Sequence, residues 1–375
     1  MSLLRFGSVC KSWLSLISNS QFVKTHLSKT SYKGGGGDDD GDGDGDDYTR
    51  HILVLNSYNS HTGLKTTSYT GLKTCSLETL DSVLEYQLWE NVVDLNYPFD
   101  DFNQFVVIVG SCNGLMCVAS NTRALYLLNP STKKSKRLPD SGVKRGWHPQ
   151  DAYGFGFDES NDDYKVVLIL YDRGGGFSAD SNVMVYTLRT DSWRKIGGLS
   201  CGIPFGVLGK FLNGSIHWVV CDKSGSSCSY VIVSIDLEKE AYGEVLPPTY
   251  GDGFFNLELY VLKGSLGVLC RCRENYTDVW IIKEYGKIDP WTKLFTLQEV
   301  AEPRFGQFST TVCTSNNGEL LILYRLRFSI YSPKNGTFRN PIFHNVDPWP
   351  CLQMCTYVES LVSPNADNLV QRQHQ

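Results

Sequence analysis

Two markers recur along this chain at intervals near 50 residues, and that spacing restricts its fold more than any other feature. Four glycine turns, each entering an apolar strand, read CNGLMCV, LNGSIHWVV, LKGSLGVLC and NNGELLILY and place glycine at 114, 214, 264 and 318. The gaps are 100, 50 and 54, and the first accommodates two repeats. In phase with them, an apolar strand, a polar turn and an aromatic recur in VYTLRTDSW, VSIDLEKEAY, IIKEYGKIDPW and SIYSPKNGTF, ending at Trp193, Tyr242, Trp291 and Phe338. LYLLNPSTKKS keeps the strand and the turn but carries Ser135 where the aromatic belongs. A period near 50 built from short strands is that of a kelch-like β-propeller made of four-stranded blades. Residues 51–350 have room for six or seven blades, with the stretch from His51 to Asp101 supplying the least regular one. The ring must close, because each sheet leaves two apolar faces that only neighbouring sheets can cover.

The rest of the chain fits a mainly β reading. Runs such as FVVIVG, YKVVLIL, VMVYTL, YVIVSIDL and DVWIIKEY are strand-sized, separated by Gly, Asn, Asp and Pro clusters, and no helix-length periodic stretch interrupts them. None approaches the roughly 18 residues of a membrane span. Arg5, Lys11 and Trp13 interrupt what would be the apolar region of a signal peptide, so a cytoplasmic or nuclear location is expected, with no membrane partner. Twelve cysteines are scattered along the chain without a C-x-x-C. Cys270 with Cys272, and Cys351 with Cys355, lack a second pair nearby, so the cysteines read as reduced and buried, and neither metal nor cofactor is expected. The formal charge of -5 arises from seven aspartates in GGGGDDDGDGDGDD, and elsewhere Lys and Arg are dispersed and nearly balanced. That distribution lacks the footprint of a nucleic-acid binder. Asp38, Asp40, Asp42 and Gly43 start a calcium loop, but the twelfth position is Thr49 where a bidentate Glu is needed. Residues 33–50 therefore read as a flexible linker between residues 1–32 and the β domain of 51–350, with 351–375 a C-terminal segment and tail.

Strand order shows where binding residues would gather. Links between first and second strands and between third and fourth strands share one end of the barrel of blades, here termed the odd-link end. The second-to-third links and the links between blades share the opposite, even-link end, and they include the long ones, such as SGVKRGWHPQD, DRGGGFSADS, PPTYGDGFF, AEPRFGQF and NVDPWP. These carry Trp147, His148, Phe177, Tyr250, Phe254, Tyr276, Arg304, Phe305 and Trp349, and aromatic and arginine side chains on a rigid scaffold are the usual anchors of a protein interface. Catalytic signatures are missing: there is no G-x-S-x-G, HExxH or P-loop. Gly154 and Gly156 in YGFGFDES imitate a phosphate-binding glycine pattern but sit in a strand that leads to another strand. His217, inside SIHWVV, reads as a satisfied strand histidine.

The chain opens on an amphipathic helix, SLLRFGSVCKSWLSLIS, with apolar residues at Leu3, Phe6, Val9, Cys10, Trp13, Leu16 and Ile17. A helix of about 15 residues is marginal alone and its stripe demands a partner. SLLRFGSVCKSWLSLISNSQFVKTHLSKT resembles the C-terminal half of a plant F-box, and VGSCNGLMCV, LYLLNPSTKKSKRLP, YGFGFDESNDDYKVV, VMVYTLRTDSWRKI and FLNGSIHWVV resemble the F-box-associated domain that follows it. The resemblance implies a non-catalytic substrate receptor of an SCF-type cullin-RING ubiquitin ligase. The helix would dock a Skp-type adaptor through Leu4, Val9, Cys10, Trp13 and Ile17, and the propeller would hold an unknown protein substrate. Met1 falls within the motif, and Gly7 stands where the family usually has Arg, so a partial F-box with weakened docking is expected. Two other readings stay open on the residues alone: a propeller that binds protein or glycan without ligase recruitment, and an enzyme of the galactose-oxidase sort.

Overall fold

The computed structural model describes Asn19, 21–23, 25, 27, 51–57, 71–76, 88–89, 93–95, 106–120, 124–143, 151–171, 181–199, 203–204, 208–222, 229–249, 254–272, 276–282, 291–298, 312–314, 319–324, 327–339, 342–343 and 351–365. Of residues 1–32, expected to be helical, only Asn19, 21–23, 25 and 27 are among the described residues. Asn19 Oδ1 accepts the backbone N–H groups of Gln21 (2.9 Å) and Phe22 (3.3 Å), the arrangement of a helix N-cap. The linker and its half calcium loop lie outside the described residues.

The protein is mainly β and is a β-propeller. Among the described residues, five antiparallel sheets have four strands: the 106–137, 152–196, 254–298 and 312–339 sheets, and one made of Cys351–Val358, His51–Ser57, Gly71–Ser76 and Val93–Leu95. In the 203–245 sheet the first strand is in two pieces, Ile203–Pro204 and Lys210–Leu212, both paired to Ser215–Asp222. Pro204 has no N–H to give to the ladder, which suits a break beside it. Leu88–Trp89 and Ile342–Phe343 form a small parallel pair. Five sheets among the described residues have the four strands of a blade, so the expected count of six or seven four-stranded blades is corrected.

Both repeating markers acquire a physical role. At the glycine turns, Asn113–Gly114, Asn213–Gly214 and Lys263–Gly264 all have positive φ (52 and 80, 48 and 75, 48 and 72°). Two consecutive left-handed residues make the tight hairpin turn whose twist matches that of the strands, and Asn-Gly adopts it most readily. The aromatics at the second marker reach back to the preceding sheet. Trp193 Nε1 donates to the Pro139 carbonyl at 2.7 Å, Trp291 Nε1 donates to the Leu246 carbonyl at 2.8 Å, and Tyr242 Oη donates to the Gly197 carbonyl. Each acceptor lies one or two residues beyond the outermost strand of the preceding sheet. Phe338 has no donor and instead packs on Tyr331 with ring centroids 4.9 Å apart.

The apolar core lies between sheets. Val167, Ile169, Val183 and Val185 of the 152–196 sheet meet Ile216, Trp218, Val233 and Ile235 of the next. Trp218 is fully buried and its Nε1 donates to the Tyr153 carbonyl at 3.1 Å. Gly154 and Gly156 make that approach possible. A Cβ on Gly154 would stand 2.6 Å from Ile216 Cγ2 and 2.7 Å from Trp218 Cζ2, and one on Gly156 would stand 2.3 Å from Phe211 Cδ2. The two glycines serve packing.

The expected domain boundary at 350 moves. Cys351–Val358 pairs along its length with His51–Ser57, from His51 opposite Val358 to Ser57 opposite Cys351. Beyond it, residues 359–364 cross the odd-link end of the 106–137 sheet. There the buried Asn129 Nδ2 donates to the Ser360 and Val362 carbonyls (3.1 and 2.7 Å), while its Oδ1 accepts the N–H groups of Ser131 and Thr132. By the same register, His51 stands at the odd-link end.

Gly154→Val should lower the urea unfolding midpoint by an amount equivalent to about 1–3 kcal/mol, the usual cost of overfilling a packed interior. Trp193→Phe and Trp291→Phe, which keep the ring and remove the donor, should each cost about 0.5–1.5 kcal/mol and add in combination, since the two sites share no partner. Midpoints unchanged from wild type would show that neither feature holds the sheets together.

Candidate functional site

At the odd-link end the charged groups are used in joining one sheet to the next. Lys165, buried in the strand Asp163–Tyr171, places Nζ 2.8 Å from Asp158 Oδ2 and 3.2 Å from Glu240 Oε1, and also donates to the Leu237 carbonyl. The side chains of Lys165 and Asp158 are 6% and 0% exposed. Glu240, held in a left-handed turn (φ 53°), also receives the guanidinium of Arg194. One sheet back, Asp191 takes Lys136 Nζ at 2.9 Å and the Tyr186 hydroxyl at 2.7 Å. Arg189 donates to the carbonyls of Asn161 (2.6 Å) and Asp162 (3.2 Å), and its backbone N–H goes to Asp163 Oδ1. These ties rigidify the scaffold.

Electrostatics separate the carboxylates. Burial alone would raise the Asp158 carboxyl, but the hydrogen bonds from Lys165 and Asn161 and the lysine charge outweigh it and hold the group below its ordinary range. Asp191 is held down in the same manner by Lys136 and Tyr186 against its own burial. For Asp163, burial outweighs the donors from Arg189 and Tyr164, and the carboxyl is raised.

The groups that could do chemistry are closed off. Burial raises the thiols of Cys112 and Cys117, and that of Cys270 is pushed up to about 12 by burial first and Asp278 second, so none supplies a thiolate at neutral pH. Those three, with Cys272 and Cys355, are free, whereas Cys221 is disulfide-bonded, against the expectation of reduced cysteines throughout. His217 is buried, its Nδ1 3.2 Å from the Lys210 carbonyl, and burial lowers its pKa. Among the described residues no three of His, Cys, Asp and Glu gather where they could hold a metal ion, and no helix is long and apolar enough to cross a membrane.

The even-link end is where the sequence places its binding residues. Phe254 and Tyr276, expected in loops, are the first residues of the strands Phe254–Leu262 and Tyr276–Ile282. Cys272 pairs with both, and Tyr276 also pairs with Gln298, so the register puts them in one row at the even-link end of the 254–298 sheet. Strand ends depend on a partner's register, which spacing alone does not show. The segments carrying Tyr250, Arg304 and Phe305 flank that same sheet in sequence. Trp147, His148, Phe177, Tyr250, Arg304, Phe305 and Trp349 lie outside the described residues, as do Leu4, Val9, Cys10, Trp13 and Ile17 of the opening helix.

Sheet order, closure by a C-terminal strand and the backward tie repeated from three outer strands define a β-propeller domain. Residues 72–364 match the family described as the F-box associated beta propeller domain. Relatives from Arabidopsis thaliana include F-box/kelch-repeat protein At3g23880, 30% identical with 97% of this chain and 92% of that protein covered. F-box protein At3g07870 is 30% identical over 64% of this chain and 67% of its own length. F-box protein CPR1 is 28% identical over 80% and 69%. The chain belongs to the F-box-associated β-propeller family of plant F-box proteins.

Lys165→Gln removes the cation that Asp158 and Glu240 share, and breaking a buried ion pair by deleting one partner costs about 3–5 kcal/mol. The pH dependence has a definite sign. With folded values below the ordinary carboxylate value of about 3.9, Asp158 and Asp191 contribute stability that is fully present above that pH. It is lost as pH falls through their folded values. Denaturation midpoints measured from pH 7 down to 3 should show that acid loss in the wild type and a shallower one in Lys165→Gln; parallel curves would contradict the assignment.

Proposed function

We propose that this chain is the substrate-recognition subunit of an SCF-type cullin-RING ubiquitin ligase. Similarity covering 97% of this chain and 92% of a protein named as an F-box/kelch-repeat protein carries the reading, because it joins the opening segment and the propeller in one arrangement. Residues 1–32 dock the Skp-type adaptor through the apolar face of Leu4, Val9, Cys10, Trp13 and Ile17. The even-link end holds the target protein, through Trp147, His148, Phe177, Tyr250, Phe254, Tyr276, Arg304, Phe305 and Trp349. Three observations support this division. Lys165, Asp158, Glu240, Lys136 and Asp191 at the odd-link end are committed to one another; the register aligns Phe254 with Tyr276 at the other end; and His51, where the propeller begins, stands on the end opposite the proposed target surface.

In this reading the chain performs no bond-making step. It raises the effective concentration of target near the transferring subunits, a gain that depends on two binding surfaces joined by a linker of suitable length. Work in the cytoplasm or nucleus, where such ligases and their targets meet, is part of the proposal.

Titration of the full chain against a purified Skp-type adaptor tests it. Trp13→Ala should weaken binding at least tenfold, about 1.4 kcal/mol, because an aromatic at the centre of a small interface has few neighbours to compensate for its loss. Equal binding by wild type and Trp13→Ala, or no binding by wild type, would remove adaptor docking. The propeller would then be a binding module without ligase recruitment.

A further inference from the structure

Among the described residues three large apolar side chains are exposed: Tyr242 at 39%, Leu246 at 72% and Leu294 at 40%. All three lie on the outer rim of two adjacent sheets. Tyr242 opens the outermost strand of the 203–245 sheet, Leu246 follows that strand, and Leu294 lies in Trp291–Gln298, the outermost strand of the next. The two strands are fixed to each other by the bond from Trp291 Nε1 to the Leu246 carbonyl, so the rim is held in place.

Two local features turn apolar groups outward. Along 242–246, exposure alternates residue by residue, so Tyr242, Glu244 and Leu246 share the solvent face while Gly243 and Val245 turn inward. The solvent face of the preceding outermost strand carries Ser192 and Arg194 instead. On the next sheet Val279 pairs with Phe295 and Trp280 with Lys293, which leaves Leu294 as the extra residue of a β-bulge. A bulge re-aims the side chain of its extra residue, and here that side chain is a leucine presented to water.

Charge narrows the occupant. Glu244 sits between Tyr242 and Leu246 and has no ion pair among the described residues. The neighbouring Lys293 is committed to Asp278 at 2.7 Å. A second copy docking by a two-fold axis through this rim would bring Glu244 against the Glu244 of that copy, and like charges placed opposite each other destabilise. We propose that this rim is a docking surface for an extended segment of a partner protein in which a Lys or Arg is flanked at alternate positions by apolar side chains. The apolar groups meet Leu246 and Leu294, and the cation meets Glu244. A patch of this size gives a weak, transient contact. The surface lies on the outermost strands of two sheets, and its test uses neither the adaptor nor the proposed target, so the test is independent of the proposed ligase role.

The experiment is selection of a random displayed-peptide library on the full chain, with one enriched peptide synthesised and titrated. Enriched peptides should place Lys or Arg between apolar residues. Binding should fall at least tenfold in Leu246→Asp and in Leu294→Asp, and severalfold in Glu244→Lys, with unfolding midpoints unchanged because these side chains are exposed. No enrichment, peptides lacking the cation, or binding unaffected by the leucine substitutions would overturn the proposal. A concentration-dependent dimer of the wild type lost in Leu246→Asp would also overturn it, by giving the surface to a second copy.

Discussion

Every sheet in this protein has two apolar faces and only its neighbours to cover them, and the rest of the architecture answers that constraint. Between the 152–196 and 203–245 sheets the answer is close approach: Trp218 lies over Gly154 and Phe211 over Gly156, and Trp218 is tethered by its indole to the backbone beneath. At the periphery the same pair is held by Tyr242 reaching the Gly197 carbonyl, and at the odd-link end by Lys165 reaching Glu240. Core, rim and turn thus all act across the same gap. Hydrophobic contact supplies most of the driving force there, and the directional bonds fix how far and at what angle one sheet lies over the next.

Features that repeat were legible in the sequence, and features that depend on a partner elsewhere in the chain were not. The hairpin turns could be read because Asn113–Gly114 and Asn213–Gly214 announce a conformation that few other pairs adopt. The recurrence of Trp193, Tyr242 and Trp291 was visible too, yet its purpose was hidden, since the acceptors are main-chain carbonyls that any sequence supplies. Lys165 lies inside the run YKVVLIL, and one of its counter-charges is 75 residues away, where no local pattern points to it. The strand Cys351–Val358 was missed because no glycine turn marks it and its partner begins at His51. Phe254 and Tyr276, expected in loops, begin strands instead, since only their pairing with Cys272 brings them into the sheet.

The polar groups divide by what they do for the scaffold. Asn129 satisfies both halves of its amide by holding its own turn and the segment that crosses it, and Asp158 holds its turn through Asn161 while facing Lys165. Side chains spent this way are poor candidates for recognition, because a ligand would have to break an existing bond to use them. Glu244 on the rim differs from them: it is exposed and has no ion pair among the described residues.

Closure by Cys351–Val358 also has a meaning in time. Its partner, His51–Ser57, is among the first parts of the domain to leave the ribosome, and the strand that pairs with it is among the last. Until then the first sheet lacks a strand and the 106–137 sheet lacks the neighbour to which Ile108 and Ser111 are bonded through Gln353 and Thr356. Pairing across so long a stretch of chain carries a large loop-closure cost and places the protein among slow folders. The nascent domain therefore passes through translation with an open edge and uncovered apolar faces, a period in which chaperone protection matters most. The ring closes only once Cys351–Val358 has been made, about 300 residues after its partner.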